Sequence, residues 1–287
     1  SSSDHLSEKN ATEKKFEQLR NKFAKGRRLG CQALLKKNVV IDVPAESQGH
    51  RQVVRKEAES RDIHMDPATR LHFVQVADAD IDEPKGDMQR LMAALDEEWQ
   101  LSDLTYDSQI LRTLQPALAD GKRAITVAVH KRAEVIALWP GFRDKALGAA
   151  VDVGSTSISV HLCDLASGSV LASASAMNPQ IRFGEDLMSR VSYAMMHSNG
   201  TEEMKEAIRE ALNRLIFEVA NQVDGAVEDI LEISIVANPI MHHILLGISP
   251  VNLGWAPFAL ATDSSLEILS TELELKVNLG ARVYILP

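Results

Sequence analysis

The stretch that decides the fold is Val151-Asp152-Val153-Gly154-Ser155-Thr156. Residues 149–153 form a short apolar run that ends in a small polar turn, which predicts a buried β-strand. The glycine lets the backbone come close to a phosphate group. The turn amides and the hydroxyls of Ser155 and Thr156 can donate hydrogen bonds to phosphate oxygens. The stretch therefore predicts a phosphate-binding turn at the end of a strand.

A carboxylate and the following elements add to this interpretation. Asp152 can hold Mg²⁺, usually through water, because Mg²⁺ keeps several of its own water ligands. An ordinary hairpin with an aspartate in its turn would use the same residues, and the stretch alone does not separate the two. Residues 157–163 and 170–177 predict two further strands of an antiparallel meander, and helices are predicted near 185–195 and over 202–223. This succession favours the phosphate site.

The chain before residue 148 divides by composition. Residues 12–25 predict an amphipathic helix, residues 39–43 a strand, and residues 45–70 have the polar composition of a linker. Residues 71–147 predict a small α+β domain. Its predicted strands are 71–76, 124–130 and 133–139, and its predicted helices are 87–99 and 107–118.

Composition excludes several classes of protein. The net charge of −9 argues against nucleic acid as a partner, and no apolar run reaches the roughly 18 residues of a membrane helix. Two cysteines, Cys31 and Cys163, cannot build a disulfide framework, so a reducing cytoplasm is the expected location. The chain begins at Ser1 without methionine and ends within an apparent strand, so we expect an internal fragment of a longer protein.

Several motifs, in order along the chain, resemble one known family. They are residues 148–156, Asn178-Pro179-Gln180, Phe183-Gly184-Glu185-Asp186 with Ser189-Arg190, Asn238-Pro239-Ile240-Met241-His242-His243 with Gly247 and Pro250, and Ala256-Pro257-Phe258. They are similar to those of the reductive activators of corrinoid-dependent methyltransferases. These proteins belong to the actin, sugar-kinase and Hsp70 superfamily of ATPases. Their N-terminal ferredoxin-like domain carries a 2Fe-2S cluster, and a linker, a middle domain and a two-lobed ATPase domain follow.

The resemblance implies a mixed α/β and α+β architecture. Residues 1–44 would be the end of the ferredoxin-like domain and residues 45–70 the linker. Residues 71–147 would be the middle α+β domain, and residues 148–287 the first lobe of an actin-like (ribonuclease H-like) ATPase domain. The second lobe carries the other phosphate loop and the adenosine segment in this family, so we expect this chain alone to bind nucleotide poorly and to be inactive.

The resemblance also implies roles for particular residues. Asp152, Gly154, Ser155 and Thr156 would hold the ATP phosphates and Mg²⁺. One of Glu185 and Asp186, with Glu185 as the preferred candidate, would orient water or metal near the γ-phosphate. The residues alone favour a simpler role for Glu185 and Asp186, namely stabilising the positive end of the predicted helix.

Cys31 precedes the predicted strand over 39–43. By itself, such a cysteine is more often a small core hydrophobe than a ligand. The resemblance implies instead that Cys31 is the fourth ligand of the 2Fe-2S cluster. A plant-type cluster needs four thiolates, so its other three ligands would lie outside this chain.

The function implied is ATP-dependent reductive activation of a corrinoid protein. An electron passing through the 2Fe-2S cluster would return inactive Co(II) to Co(I). The expected partners are the corrinoid protein and an electron donor, and the family suggests a homodimer. Two alternatives stay open: a small-molecule kinase or ATP-dependent hydrolase of the same superfamily, and a non-enzymatic interaction module. The ferredoxin-like tail and the middle domain argue against the kinase, which needs neither.

Three other groups of residues receive no catalytic role. His242 and His243 are adjacent, so their side chains diverge on a helix and do not form a metal site. One is expected to pack and the other to reach a backbone group. Asn238 is expected to cap a helix or shape a turn, and Arg182 and Arg190 stay unassigned.

Overall fold

The computed structural model describes residues 5–11, 14, 28, 33–38, 64–223 and 225–286. Its contacts divide the chain into two compact units, residues 1–52 and residues 53–287. The helix predicted over 12–25, Cys31, the strand predicted over 39–43 and most of the predicted linker lie outside the described residues.

The first unit is described in a few short pieces. Leu6 and Leu35 form an isolated antiparallel bridge. The Ser7 amide donates to the Leu34 carbonyl over 2.8 Å, and the Lys36 amide donates to the His5 carbonyl over 2.7 Å. Two short segments of this unit therefore run side by side.

The second unit opens with a four-stranded sheet in the order β1-β3-β4-β2, against which two helices pack. The strands are β1 (Thr69–Gln75), β2 (Thr105–Tyr106), β3 (Ala124–His130) and β4 (Glu134–Pro140), and the helices are α1 (Asp87–Trp99) and α2 (Ser108–Asp120). β1, β3 and β4 are antiparallel, and β2 runs parallel to β4.

The helix faces and caps of this small domain match the sequence pattern. Leu91 and Leu95 of α1 and Leu114 of α2 are buried in the core between helices and sheet. The Asp107 side chain caps α2 by accepting from the Gln109 amide over 2.7 Å. The α+β architecture predicted for this region is therefore observed.

A six-stranded sheet follows, in the order β7-β6-β5-β8-β10-β9. Its strands are β5 (Leu147–Val153), β6 (Ser157–Asp164), β7 (Val170–Met177), β8 (Ile230–Ala237), β9 (Leu266–Leu269) and β10 (Arg282–Ile285). β5, β6 and β7 form the antiparallel meander that the sequence predicted. β8 runs parallel to β5, β10 runs parallel to β8, and β9 closes the edge in the antiparallel sense. This order is the ribonuclease H-like one, which confirms the predicted fold class.

Three helices accompany this sheet: α3 (Leu187–Met196), α4 (Gly200–Gln222) and α5 (Pro239–Leu246). Ile208, Leu212 and Leu215 of α4 are buried in the same core as Val151 and Val153 of β5. Full burial of each such side chain stabilises the fold by about 1.5–3 kcal/mol. Within the described residues, no helix combines the length and the apolar character needed to cross a membrane.

The two sheets of the second unit meet along a seam. Ile136 of β4 and Leu231 of β8 are buried in one small apolar cluster. Arg143 pairs with Asp229, and Arg282 pairs with Glu134. Gly280 lies so close to β4 that a Cβ atom there would be 1.9 Å from the Ile136 carbonyl oxygen.

A buried histidine closes the same seam. His130 is 6% exposed, and its Nε2 lies 3.0 Å from Oε1 of Glu267 on β9. Its Nδ1 lies 2.9 Å from the Thr69 hydroxyl, and Lys131 also pairs with Glu267. Apolar contact and ion pairs therefore join the small domain to the six-stranded sheet.

Candidate functional site

The candidate site begins at the turn between β5 and β6. β5 lies between β6 and β8 in the sheet, and Val153 is in register with Ala237 of β8. Val151 and Val153 face the core, so the alternation of the strand places the half-buried Asp152 on the opposite face. Gly154, Ser155 and Thr156 then turn the chain into β6. We call these three residues the phosphate turn.

Three successive carbonyl groups of the phosphate turn accept hydrogen bonds from the segment that follows β7. The Asn178 side chain donates to the Gly154 carbonyl over 2.8 Å, and the Asn178 amide donates to the Thr156 carbonyl over 2.8 Å. The Arg190 guanidinium donates to the Ser155 carbonyl over 2.5 Å. Both donor residues have no exposed surface. The carbonyls of the turn are therefore held against the protein interior.

This arrangement leaves the donors of the turn available. Among the described residues, none accepts a hydrogen bond from the amides or hydroxyls of Ser155 and Thr156. Ser155 is half-buried and Thr156 is exposed. Successive backbone amides with adjacent hydroxyls form a concave donor surface that suits an anion. The residues present thus fit a phosphate group.

Gly154 is required by the tightness of the turn. Its amide donates to the Ser157 carbonyl over 3.0 Å. A Cβ atom at Gly154 would lie 2.7 Å from that same carbonyl oxygen. Any other residue would therefore force the turn to move.

Arg190 is the main support behind the phosphate turn. Its Nε donates to the Gly184 carbonyl over 3.1 Å, and one terminal nitrogen donates to Oε1 of Gln180 over 3.4 Å and to Sδ of Met241 over 3.0 Å. Burial lowers the pKa of the guanidinium, while Asp186 acts in the opposite direction. Arg190 therefore ties the turn to three other segments.

The two carboxylates before α3 differ in their contacts. Asp186 is the N-cap of α3, and its side chain accepts from the Ser189 amide over 2.8 Å and from the Ser189 hydroxyl over 3.0 Å. These hydrogen bonds, the backbone one first, lower the pKa of Asp186. Glu185 precedes the cap and is exposed. Asp186 is thus the structural residue of the pair, and a catalytic role for Glu185 stays a prediction.

Two family models match this chain. The RACo linker region matches residues 58–145, and the RACo middle region matches residues 147–287. The chain belongs to the RACo family. The resemblance to reductive activators of corrinoid proteins is thereby confirmed. The family models give the name "linker" to residues 58–145 and the name "middle" to residues 147–287, whereas we predicted a linker at 45–70 and a middle domain at 71–147. The predicted boundaries stay predictions.

Two relatives of the RACo chain are informative. A corrinoid activation enzyme, RamQ from Eubacterium limosum, is 28% identical over 201 residues, which cover 64% of this chain and 34% of RamQ. A solved structure of a reductive activator for corrinoid, iron-sulfur protein superposes with a TM-score of 0.69 at 26% identity, covering 79% of this chain and 37% of that one. The chain therefore spans about a third of the length of these relatives.

The adjacent histidines His242 and His243 are buried, and His243 contacts backbone groups. Nδ1 of His243 lies 2.8 Å from the Pro239 carbonyl, and its Nε2 accepts from the Ala261 amide over 3.0 Å. His242 is 2% exposed, and burial, followed by the charge of His243, lowers its pKa. The expectation that one packs and the other reaches the backbone is confirmed. Asn238 caps α5 by accepting from the Met241 amide over 3.1 Å, as expected.

The described part of this RACo chain does not fit an iron-sulfur cluster. Within it, no group of three or more His, Cys, Asp or Glu residues is placed to hold a metal ion. Its one cysteine, Cys163, lies on β6, and burial raises the pKa of its thiol. Cys31 falls outside the described residues, so its role as a cluster ligand stays a prediction.

The support behind the turn is what sequence reasoning missed. Asn178 belongs to one of the family motifs, but the sequence indicates no role for it, and it indicates none for Arg190. One signal was available for Arg190. It occupies a position in the apolar stripe of α3, between Leu187 and Ala194, where a charged residue needs buried partners.

Proposed function

We propose that the whole protein is an ATP-dependent reductive activator of a corrinoid protein, and that residues 148–287 supply the first phosphate-binding half of its nucleotide site. The relatives' names support corrinoid activation. The observation that supports a nucleotide site is the phosphate turn, whose three carbonyls face inward and whose amides and hydroxyls have no acceptor among the described residues.

The residues of the turn would divide the work of holding ATP. The amides and hydroxyls of Ser155 and Thr156 would donate to phosphate oxygens. Asp152 would hold Mg²⁺ through water. Glu185 would orient the water that attacks the γ-phosphate. When bound, Mg-ATP would supply binding and hydrolysis free energy to the reaction.

The redox half of the proposal concerns the whole protein. The substrate would be the inactive Co(II) state of a corrinoid, reduced by one electron to Co(I) through a 2Fe-2S centre with Cys31 as one ligand. Two cysteines cannot supply four thiolates, so the remaining ligands would come from outside this chain. An electron-donor protein or reductant and a second copy of the protein are further proposed partners, and the cytoplasm is the proposed location.

ATP would act by changing the relation of the two lobes. A ligand shifts a conformational equilibrium only by binding one state better than the other. ATP bound between the lobes would favour the closed arrangement. We propose that this arrangement selects the complex in which cobalt is easier to reduce.

The test uses the full-length protein purified without oxygen. It is mixed with a Co(II) corrinoid protein and a reductant, and the visible spectrum is followed with and without Mg-ATP. We expect the Co(I) band only with Mg-ATP, and its loss in Asp152→Asn. The matched control is Asp164→Asn, since Asp164 accepts from the Ser167 amide in the turn at the far end of β6. That variant should keep the activity.

Two results would contradict the proposal. Equal formation of Co(I) with and without ATP would remove the nucleotide from the mechanism. ATP hydrolysis without any Co(I), despite an intact cluster, would favour a kinase or hydrolase acting on another substrate.

A further inference from the structure

Arg190 is a buried cation without a buried anion to match it. Its side chain has no exposed surface, yet no carboxylate among the described residues lies within the 4.0 Å ion-pair distance of its guanidinium. Its hydrogen-bond partners are neutral acceptors: the carbonyls of Ser155 and Gly184, the Gln180 amide oxygen and the Met241 sulfur. The carboxylate whose charge acts on it from a longer distance, Asp186, is exposed to solvent.

Another buried arginine of the same lobe has its charge balanced by a carboxylate. Arg209 on α4 is 7% exposed and donates through two nitrogens to the Leu245 carbonyl. It also forms an ion pair with Glu274 at 2.8 Å. Arginine is almost never buried unless it is paired, because an unpaired charge loses its hydration. Arg190 departs from this pattern.

The position of Arg190 indicates where an anion that balances its charge would bind. Its terminal nitrogen donates to the Ser155 carbonyl from the interior side of the phosphate turn. The donors of the turn lie on the other side of the same peptide groups. An anion bound to those donors would therefore lie one peptide group away from the guanidinium. Solvent screening is weak there because Arg190 is excluded from water.

The guanidinium also fixes geometry. It joins the Ser155 carbonyl to the Gly184 carbonyl, and Gly184 directly precedes Glu185. The planar fork of arginine can hold two such acceptors at once, whereas the single ammonium of lysine cannot reproduce that fork. One residue thus sets the spacing between the phosphate turn and the loop that carries Glu185.

We propose that Arg190 is a positioning residue of the nucleotide site, which holds the phosphate turn in place and supplies from behind it the positive charge that balances bound phosphate. This inference rests on the proposed nucleotide-binding function. It deepens that function by assigning the electrostatic part of phosphate recognition to a residue that does not touch the ligand.

The experiment separates charge from support by comparing two substitutions in the full-length protein. Arg190→Gln removes the charge but keeps a donor, and Arg190→Lys keeps the charge but loses the fork. ATP affinity is measured by calorimetry, and thermal unfolding is recorded for each variant. We expect ATP affinity to fall by about tenfold or more in Arg190→Gln and by clearly less in Arg190→Lys.

The matched control is Arg209→Gln, which removes a buried arginine of α4 that contacts the Leu245 carbonyl and Glu274. It should lower the unfolding temperature and leave ATP affinity within about twofold of the wild type. If Arg190→Gln does not fold, Arg190→Lys decides the question. This variant should then keep most of the ATP affinity, because the charge remains, and lower the maximal rate of ATP hydrolysis, because the fork that spaces the phosphate turn from the Glu185 loop is lost. An unchanged maximal rate would overturn the positioning role.

Three outcomes are distinguishable. Equal losses of affinity in both Arg190 variants, in proportion to their losses of stability, would overturn the inference in favour of a purely structural arginine. Wild-type affinity in Arg190→Gln would also overturn it. Failure of the wild-type protein to bind ATP at all would refute the proposed function itself rather than the role of Arg190.

Discussion

The Asn178 side chain donates a hydrogen bond to the Gly154 carbonyl over 2.8 Å, across 24 residues of chain. The same residue donates through its backbone amide to Thr156 and accepts from the Gln180 amide over 2.9 Å. A completely buried asparagine thus fixes both ends of a three-residue turn. The conformation of the turn is set before any ligand arrives, which lowers the entropic cost of binding.

Replacement of Gly154 by alanine should weaken nucleotide binding. The added methyl group would lie 2.7 Å from the Ser157 carbonyl oxygen, so the backbone of the turn has to shift. We expect ATP affinity of the full-length protein to fall by about tenfold or more. The control is Gly148→Ala near the start of β5, where the new atom meets the end of the Leu165 side chain, which can move. Equal affinity in both variants would contradict this account of the turn.

Substitution of Asp186 should affect mainly stability, and substitution of Glu185 should affect mainly ATP hydrolysis. Asp186→Ala removes the cap of α3 and should lower the free energy of unfolding, with ATP hydrolysis largely kept. Glu185→Gln alters an exposed residue and should leave stability unchanged, but slow ATP hydrolysis about a hundredfold if Glu185 orients the attacking water. Both variants are compared by chemical denaturation and by phosphate release. The reverse pattern would make Asp186 the functional carboxylate.

Gly280→Ala should disrupt the seam between the two sheets. A Cβ atom there would lie 1.9 Å from the Ile136 carbonyl oxygen, which is a backbone atom of β4 and not the end of a flexible side chain. We expect a loss of about 1–3 kcal/mol, read as a lower unfolding temperature. Gly86→Ala is the control, because its new atom meets the flexible end of Gln89. Equal unfolding temperatures for the two variants would contradict the close approach of Gly280 to β4.

Asp87 should give the small domain a pH-dependent stability. A 2.8 Å hydrogen bond from Arg123 lowers the pKa of Asp87 below its ordinary 3.8, against the opposing effect of burial. A carboxylate with a lowered pKa stabilises the fold above its unfolded-state pKa, and this contribution is lost as pH falls through the folded-state pKa. Asp87→Asn should therefore cost about 1–2 kcal/mol at pH 7.

The difference between wild type and Asp87→Asn should shrink as the pH falls from about 4 toward 2. Denaturation at several pH values measures it. Asp66→Asn is the control, because the Asp66–Arg70 pair is exposed and contributes little. A constant difference across this range would mean that Asp87 acts through packing and not through charge.

Local sequence patterns predicted the elements around the site well. The meander of β5 to β7 and the helix α4 follow directly from alternation and from apolar spacing, both of which are local properties. The parallel pairing of β10 with β8 and the edge strand β9 were not predicted, because such pairings join segments far apart in the chain. The two residues of β2 were also missed, since so short a strand has no period to read.

The candidate site was predicted on its ligand-facing side and missed on its interior side. Gly154, Ser155 and Thr156 are recognisable because their residue types suit a phosphate. Asn178 and Arg190 contact backbone carbonyls. Every residue has such a carbonyl, so the sequence does not show which one a side chain will contact. Their partners could be found only once the fold brought the two segments together.

The seam between the small domain and the six-stranded sheet bears on how the protein can be cut for study. The family regions divide near residue 146, which invites separate expression of each half. Severing the chain there would uncover Ile136 and Leu231 and leave Asp229 and Glu134 without their arginines. We expect each half, expressed alone, to have low solubility and to aggregate. Limited proteolysis of the intact protein is the better guide to where it can be divided.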